Sequence, residues 1–481
     1  MDAFSSAFLS TVAPSTKSPS TAPPSYVPRR YISSVRIDKK PPTSTTKTPP
    51  SVVAKERVEP KLSTMIFNTF DDIINNFIDP PPRPSVDPRH VLSHNFAPVD
   101  ELAPMLCEVI QGSLPPCLDG AYILNGPNPQ FLPRGPYHLF DGDGMLHSIR
   151  ISNGNATLCS RYVKTNNLTV VTTRGALMAI RILFGEFNPA NRIGDLQTLG
   201  RVDFDGKLFM SMTAHPKIEA ETGEAFAFRF VHVPPYVKYF YFEANGNKKP
   251  DVPILSMTRP SFIHDFAITN KYAIFADIQM GINPMNMIFG GGFPVGVHTA
   301  KMHRIGVIHD GNAIIMLAPN ILTVQLTLEK VRIDLGTVIV TRHPVSARNL
   351  DFAVLNPAYV GKNNYLYAAV GDPMLKIAGV AKLDVSNGDH QERTVANRMY
   401  GPCCFGGEPF FVAREPENPE ADEEDGYLIS HVHNENTGES RFLVMDAKSP
   451  TLDIVAAVKL PHRVPYGFHV LFVRERDLKR L

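Results

Sequence analysis

Three of the 16 histidines in this chain of 481 residues stand in unusual local settings. His215 follows the apolar run Leu208–Met212 and precedes Pro216, which cannot donate to a strand ladder, so we expect its side chain at a strand end. His264 and His469 stand between apolar neighbours, and a buried imidazole needs a polar partner. Neutral imidazole binds iron, copper and zinc, although a single histidine of this kind is more often a core residue than a ligand.

The elements that would position these histidines are short strands. From about residue 90 the sequence consists of β-branched and aromatic runs separated by turn signals, with one helical stretch predicted at 174–184. Such a long succession of strands without alternating helices predicts an all-β fold: a sandwich, a barrel or a propeller. The length favours the propeller, which can bring distant strands, and hence distant histidines, to one axis.

Composition and charge narrow the range of partners. The chain has 48 Lys and Arg against 47 Asp and Glu, so its net charge of +1 supplies no field that would recruit nucleic acid. The five cysteines are odd in number and scattered, which indicates neither a disulfide framework nor a zinc site. No apolar run reaches the roughly 18 residues of a spanning helix. Small-molecule or lipid chemistry is favoured, and any membrane contact is expected to be peripheral.

The N-terminal segment, residues 1–55, is rich in Ser, Thr and Pro and has a marked excess of basic over acidic residues. This composition is typical of an organelle transit peptide and does not decide between plastid and mitochondrion; a disordered tail without a targeting role is the alternative. Apolar residues then recur at helical spacing through 62–79 and stop at three prolines. That pattern predicts an amphipathic helix, which docks either on its own domain or on a membrane surface.

The sequence segments around His215, His264 and His469, together with five further motifs, resemble the carotenoid cleavage dioxygenase (carotenoid oxygenase) family. The resemblance covers nearly the whole chain from about residue 62. The further motifs are NFIDPPPRPSVDPRHVLSHNFAPV at 76–99, NGPNPQ at 125–130, FDGDGML at 140–146, ARNLDFAVLNP at 347–357 and GGEPFF at 406–411. The N-terminal block and the tract 446–469 look closest to subfamily 4, the plastoglobule-associated plastid enzymes, which implies that residues 1–55 are a plastid transit peptide.

The resemblance implies a seven-bladed β-propeller over residues 90–481 with one Fe(2+) on its axis, held by four histidines. His215, His264 and His469 match three of them. It further implies cleavage by O2 of a carotenoid or apocarotenoid double bond, near 9,10 or 9′,10′, to two carbonyl products. The family places glutamates around its ligands: Glu408 matches one, and Glu423 matches another unless it is a solvated loop residue.

The family's third iron histidine lies in a segment that this chain lacks. The flanking strands are joined here only by His309-Asp310-Gly311-Asn312, and the chain contains no tryptophan, a residue typical of that segment. His309 is the candidate substitute ligand, although Asp310-Gly311 is a hairpin signal that would hold it near a strand end. Two more stretches are shorter here than in the family. One follows Asn191, where the family's first glutamate lies, and the other precedes Arg174.

Three functions therefore compete. The first is a non-haem iron dioxygenase that cleaves a carotenoid double bond. The second is a catalytically impaired paralogue, splice product or incomplete gene model that at most binds carotenoid or plastid lipid, and the shortenings favour it. The third is a metal-binding scaffold with three histidines and an open coordination position, as in catalytic zinc sites. Loss of one supporting carboxylate alone costs about 10–100-fold in metal affinity or activity.

Overall fold

The computed structural model describes residues 2–3 and 87–479, with internal gaps of which the longest are 164–194, 197–207, 283–294 and 318–327. The chain divides into two compact units, and the described residues belong to the unit made of Met1–Thr11 and Pro82–Leu481. Apart from residues 2–3, the predicted transit peptide at 1–55 lies outside the described residues. The helices predicted at 62–79 and 174–184 lie outside them entirely.

The described helices are short. They are α1 (Pro88–Val91), α2 (Glu475–Leu478) and three 3₁₀ turns at His94–Phe96, Pro116–Leu118 and Pro357–Tyr359. The side chain of Asp87 caps α1 by accepting the Arg89 N–H at 2.9 Å, and proline at the first helical position needs no such partner. Within the described residues, no helix has the length and apolar character needed to cross a membrane.

Strands make up most of the described chain. In chain order they are β1 (Asp2–Ala3), β2 (Leu102–Leu106), β3 (Glu108–Gly112), β4 (Gly120–Pro127), β5 (Gly144–Ser152), β6 (Asn155–Tyr162), β7 (Lys217–Ile218), β8 (Ala225–Phe230), β9 (Val237–Phe242), β10 (Val252–Pro253), β11 (Phe266–Ile268), β12 (Ala273–Asp277), β13 (Met280–Ile282), β14 (Val295–Val297), β15 (Arg304–His309), β16 (Asn312–Leu317), β17 (Glu329–Asp334), β18 (Ile339–Pro344), β19 (Leu350–Val354), β20 (Tyr365–Gly371), β21 (Ile377–Asp384), β22 (Thr394–Met399), β23 (Cys404–Gly406), β24 (Phe410–Ala413), β25 (Gly426–Asn434), β26 (Ser440–Asp446), β27 (Ile454–Leu460) and β28 (Phe468–Arg474).

Early and late strands of the described chain pair with one another. One sheet has the order β2-β6-β5-β4-β28, so the C-terminal strand pairs with β4, near the beginning of the described chain. A ten-stranded sheet runs β19-β20-β21-β23-β25-β26-β27-β3, with β22 on β21 and β24 on β25. It therefore also combines late strands with an early one. Both sheets thus combine strands that are far apart in the sequence, and antiparallel pairing throughout fits the all-β prediction.

Smaller sheets carry the middle of the chain. Their orders are β10-β9-β8-β7, β11-β12-β15-β16, β13-β14 and β1-β17-β18. An aromatic cluster joins the first two of these sheets: the ring of Phe228 meets those of Phe266 and Phe275 edge-on, with centroids 5.4 and 5.7 Å away. Rings in this arrangement stabilise one another beyond the area they bury. The segments on either side of this cluster, which precede β7 and β11, contain His215 and His264.

The largest described core lies between the β2-β6-β5-β4-β28 sheet and the ten-stranded sheet. Alternate residues of each strand face it, and the ring of Tyr122 on β4 contacts that of Phe442 on β26 with centroids 5.2 Å apart. Val470 and Phe472 of β28 also pack against it. Burying each large apolar side chain contributes about 1.5–3 kcal/mol. The strand that carries His469 is thus anchored on a rigid core.

Candidate metal centre

The side chains of His215, His264 and His469 converge. Their ligand nitrogens all lie within 4.8 Å of one another, and the two Nε2 atoms of His215 and His264 are 2.9 Å apart. The ring of His469 has its centroid 4.4 Å from that of His215 and 5.5 Å from that of His264. Two nitrogens bound to one cation through bonds of roughly 2.1 Å lie about 3 Å apart or slightly more. The cluster therefore has the dimensions of a single metal site.

Two of the rings enter the site from segments that lead into strands. His215 stands two residues before β7, and its backbone N–H donates to the Thr213 hydroxyl at 3.1 Å. His264 stands two residues before β11. Neither histidine lies within a strand, so their side chains are not bound to the alternation of a sheet face. Most of the run 208–212, at whose end His215 is predicted to lie, is outside the described residues.

His469 is positioned by a β-bulge. The register between β28 and β4 passes from Phe468 opposite Asn125 to Val470 opposite Leu124, so His469 is an extra residue. Its φ of 66° lies in the left-handed region, which non-glycine residues rarely adopt. Bulges are common beside functional sites because they re-aim a side chain that regular alternation would direct elsewhere. The bulge also releases the His469 N–H from the ladder.

Glu408 supplies the partner for that released amide. The carboxylate of this half-buried residue accepts the His469 N–H at 2.9 Å. Burial raises the pKa of Glu408 to about 7, while the amides of His469 and Val470 act to lower it. The resemblance implies a carboxylate that accepts a ring N–H from a ligand. In its described contact Glu408 instead holds the backbone of the bulge, and so positions His469 indirectly.

Glu423 has a different role. Its carboxylate accepts the backbone N–H groups of Asn364, at 2.9 and 3.0 Å, and of Tyr365, at 2.9 Å. The residue is buried, so the interpretation as a solvated loop carboxylate is wrong. Its described partners are the amides at the beginning of β20, and no histidine is among them. Glu423 thus fixes a strand end, and its predicted place around the metal ligands finds no contact to support it.

The three imidazoles are neutral at physiological pH. The pKa of His215 and of His469 is lowered to about 3, first by burial and then by the charges of neighbouring groups, and burial also lowers the pKa of His264. A neutral imidazole keeps the lone pair that a metal ion requires, whereas a protonated one repels the ion. Burial therefore keeps these nitrogens free of protons and able to bind a cation, and the donor set suits iron, copper or zinc.

An ion pair missed in the sequence joins two of the ligand segments. Lys217, two residues after His215, lies with its Nζ 2.8 Å from Oδ1 of Asp265, which directly follows His264. Asp265 also accepts the Phe266 N–H at 2.7 Å. Its negative charge opposes the lowering of the pKa of His264. The one signal of this ion pair in the sequence is that Lys217 and Asp265 lie close to His215 and His264 in the chain. That proximity cannot show that the two segments meet.

The register places His309 away from this centre. β15 and β16 form a hairpin in which His309 pairs with Asn312, so only Asp310 and Gly311 connect them. Phe266 of β11 pairs with Phe275 of β12, which pairs with Gly306 of β15, and both pairings are antiparallel. β11 and β15 therefore run in the same direction. His264 precedes Phe266 by two residues and His309 follows Gly306 by three, so they lie at opposite ends of the sheet. At 3.3 Å per residue the offset along the strands is roughly 16 Å. This backbone geometry argues against His309 as a fourth ligand.

Comparison with known proteins identifies the class. Residues 96–194, 170–315 and 316–474 match the family model of the retinal pigment epithelial membrane protein, RPE65. The chain therefore belongs to the RPE65/carotenoid cleavage dioxygenase family.

Particular relatives are chloroplastic proteins. The chain is 53% identical to the probable carotenoid cleavage dioxygenase 4, chloroplastic, of Arabidopsis thaliana, over 92% of this chain and 91% of that protein. It is 46% identical to the 9-cis-epoxycarotenoid dioxygenase NCED1, chloroplastic, of Oryza sativa subsp. japonica, over 86% and 80%. The Arabidopsis alignment spans 540 positions and this whole chain has only 481 residues, so the alignment contains positions that this chain lacks. Internal shortening relative to that protein is thereby supported.

Solved structures confirm the fold. The lignostilbene dioxygenase of Pseudomonas brassicacearum matches 80% of this chain and 98% of its own with a TM-score of 0.65 at 19% identity. A Trp149Ala mutant of the Synechocystis apocarotenoid oxygenase matches 82% of this chain and 100% of its own with a TM-score of 0.62 at 21% identity. Carotenoid oxygenases have a β-propeller fold, so the prediction of an all-β propeller is confirmed.

Proposed function

We propose that this chain is a plastid non-haem iron dioxygenase that cleaves a carotenoid double bond with O2, and that its metal centre has three histidines. The observation that carries the proposal is the convergence of three neutral imidazoles in a chain of this family. Iron, when held there, supplies the means to activate O2, whose two atoms end in the two carbonyl products. His215, His264 and His469 are the residues that would hold it.

The surrounding residues hold these donors in place. Three neutral ligands leave a cation with its full charge, which nearby carboxylates offset. Glu408 lies against the His469 bulge and Asp265 directly follows His264, so both carboxylates are near the ligand set. Lys217 pairs with Asp265 and ties the two segments that carry His215 and His264. The chain thus supports the geometry of its donors through backbone contacts and one ion pair.

The centre has one protein ligand fewer than the family resemblance implies. The β15–β16 hairpin occupies the position of the absent segment, and no other His, Cys, Asp or Glu side chain among the described residues joins the cluster. Loss of one supporting carboxylate costs about 10–100-fold, so loss of a ligand together with a carboxylate should lower the cleavage rate by at least about 100-fold against a four-histidine relative.

A second candidate function is the binding of carotenoid or plastid lipid without cleavage. The same hairpin favours it, because His309 stands at the wrong end of the sheet to replace the lost ligand. The two functions differ in one observable: both bind the carotenoid, and only the first converts it to carbonyl products.

The test uses the full chain loaded anaerobically with Fe(II). Bound iron is measured, and the protein is then incubated with β-carotene or an apocarotenal under O2 while products are followed by chromatography. One iron per chain and slow formation of two carbonyl products, lost in His264→Ala, support the enzyme. Retained carotenoid with no product supports the second function and rules out the first. A matched variant carries the Arabidopsis relative's residues between the β15 and β16 strands, and a gain in rate there assigns the loss to this hairpin.

The location and the bond cleaved also belong to the proposal. The relatives named above are chloroplastic, and residues 1–55 have the composition of a transit peptide. We place the protein in the plastid, at the plastoglobule or membrane surface where carotenoids dissolve. Related proteins are named carotenoid 9,10(9′,10′)-cleavage dioxygenases, such as one from Phaseolus vulgaris at 31% identity, which favours that bond. A fluorescent fusion with and without residues 1–55 tests the location, and the chain lengths of the products test the bond.

A further inference from the structure

A polar layer lies between the two sheets that share the largest core. On β5 the alternate residues facing this core are Ile151, Ile149 and then His147. On β25 they are Ile429 and then His431 and His433. Since alternate residues of a strand share one face, the three histidines continue the packed face beyond its apolar part. All three are buried.

Each sheet contributes a matching histidine–serine pair. Nδ1 of His147 lies 2.8 Å from the Ser160 hydroxyl, and Nδ1 of His433 lies 2.9 Å from the Ser440 hydroxyl. In both pairs the two residues are directly opposite each other on neighbouring strands. The serine fixes the orientation of the ring, and for His147 this leaves Nε2 buried with no hydrogen-bond partner in the described chain.

His431 has still greater unmet capacity. Both of its ring nitrogens are buried without a hydrogen-bond partner among the described residues. Its ring is wedged against Gly407, where an added Cβ would stand 2.0 Å from the imidazole Cε1, so no side chain fits between them. The pKa of His147 is lowered to about 3 and that of His431 to about 4, chiefly by burial. Both rings are therefore neutral, and each has a donor and an acceptor to satisfy.

The polar layer favours water over a cation as its ligand. Among the described residues, only the nitrogens of His215, His264 and His469 form a set of three or more ligand atoms close enough to hold one ion. Native proteins satisfy buried polar atoms by ordered water where protein partners are lacking.

We propose that His147 and His431 form a built hydration site, in which ordered water forms hydrogen bonds with His147 Nε2 and with both ring nitrogens of His431. The site lies between the two sheets that share the largest described core. Its ligand class is water, or a small neutral molecule with the same hydrogen-bonding capacity. The site is separate from the candidate metal centre and shares no residue with it.

The experiment compares His431→Phe, which fills the layer with an apolar ring, against His431→Gln, which keeps polar atoms. Ordered water is located by crystallography at high resolution and counted in solution by ¹⁷O magnetic relaxation dispersion. We expect long-lived water between His147 and His431 in the wild type and in His431→Gln, and its loss in His431→Phe. The melting temperature should fall in His431→Phe, because the Nε2 of His147 then loses its bridging partner.

Two results would overturn the proposal. If the layer is dry, no density appears between the rings, and His431→Phe melts at a higher temperature than the wild type because it removes two unpaired nitrogens. If the layer holds a cation, elemental analysis shows a second metal equivalent that His431→Phe removes and His264→Ala does not. Cobalt binding at the centre formed by His215, His264 and His469 serves as the control for folding and should be unchanged in both His431 variants.

Discussion

Replacing Glu408 with alanine tests how the bulge at His469 is held. The half-buried His469 N–H would then lose its acceptor at 2.9 Å. An unsatisfied buried backbone donor costs about 1–3 kcal/mol. His469 also has a φ of 66°, a conformation that persists only where its surroundings impose it. We therefore expect the bulge to relax toward regular pairing, which would turn His469 away from His215 and His264.

The expected loss of metal affinity is about 10–100-fold, the range typical for residues that orient a metal ligand. The assay is a titration with Co(II), followed by its absorption bands, together with denaturant unfolding. Glu408→Gln should show a smaller loss because its side-chain carbonyl can still accept the amide proton. The bands of bound cobalt should weaken in Glu408→Ala in step with the loss of affinity.

Glu423→Ala is the matched control. Its carboxylate accepts the amides of Asn364 and Tyr365, so its removal should lower the free energy of unfolding by a similar amount. Because none of its described contacts is with a histidine, cobalt affinity should stay within twofold of the wild type. Unchanged cobalt affinity in Glu408→Ala, or an equal loss in both variants, would refute the positioning role of Glu408.

Three further predictions concern the surroundings of the centre. Asp265→Asn weakens the ion pair with Lys217 and should lower cobalt affinity several-fold in the same titration, whereas an unchanged affinity would exclude the pair as a support. Burial raises the pKa of Asp351 from 3.8 to about 6, so the metal-free protein should lose about 2–3 kcal/mol of stability as pH rises from about 4 to 6. The unfolding free energy of Asp351→Asn should therefore change less with pH across that range, and equal slopes would contradict the assignment of this pH dependence to Asp351. Gly467→Ala places a Cβ 2.5 Å from the Asn125 carbonyl oxygen and should destabilise the protein by about 1–3 kcal/mol in denaturant, while an unchanged midpoint would show that β28 and β4 can separate there.

The all-β class and the three converging histidines were predictable from the sequence for different reasons. The strand pattern is local, since short β-branched runs and turn signals carry it. The convergence of His215, His264 and His469 is not local, and the spacing of the residues could not show it. Only the resemblance of the surrounding strings to a known family linked them. The structure then brought their nitrogens within 4.8 Å of one another.

The means of positioning could not be predicted. A bulge at His469 depends on the register between β28 and β4, which are far apart in the chain. The Lys217–Asp265 ion pair likewise depends on two segments meeting. For Glu423 the motif predicts a place beside the ligands, and the contacts that its carboxylate makes are with the amides that begin β20. Sequence motifs identify residue types, but tertiary register decides which atoms they contact.

His309 illustrates what a local signal can establish. The dipeptide Asp310-Gly311 predicts a two-residue hairpin, and the register pairs His309 with Asn312 as that turn requires. The sequence alone could not tell which end of the sheet this turn occupies. The pairing of β11, β12 and β15 shows that His309 lies at the other end of the sheet from His264.

The most direct test of the three-histidine centre is X-ray absorption spectroscopy on the full chain loaded with Fe(II), combined with elemental analysis. One iron per chain with three imidazole ligands is expected. Binding should be lost in each of His215→Ala, His264→Ala and His469→Ala, and unchanged in His309→Ala. Iron that survives loss of any of the three, or that is lost with His309, would contradict the assignment of the metal to these residues.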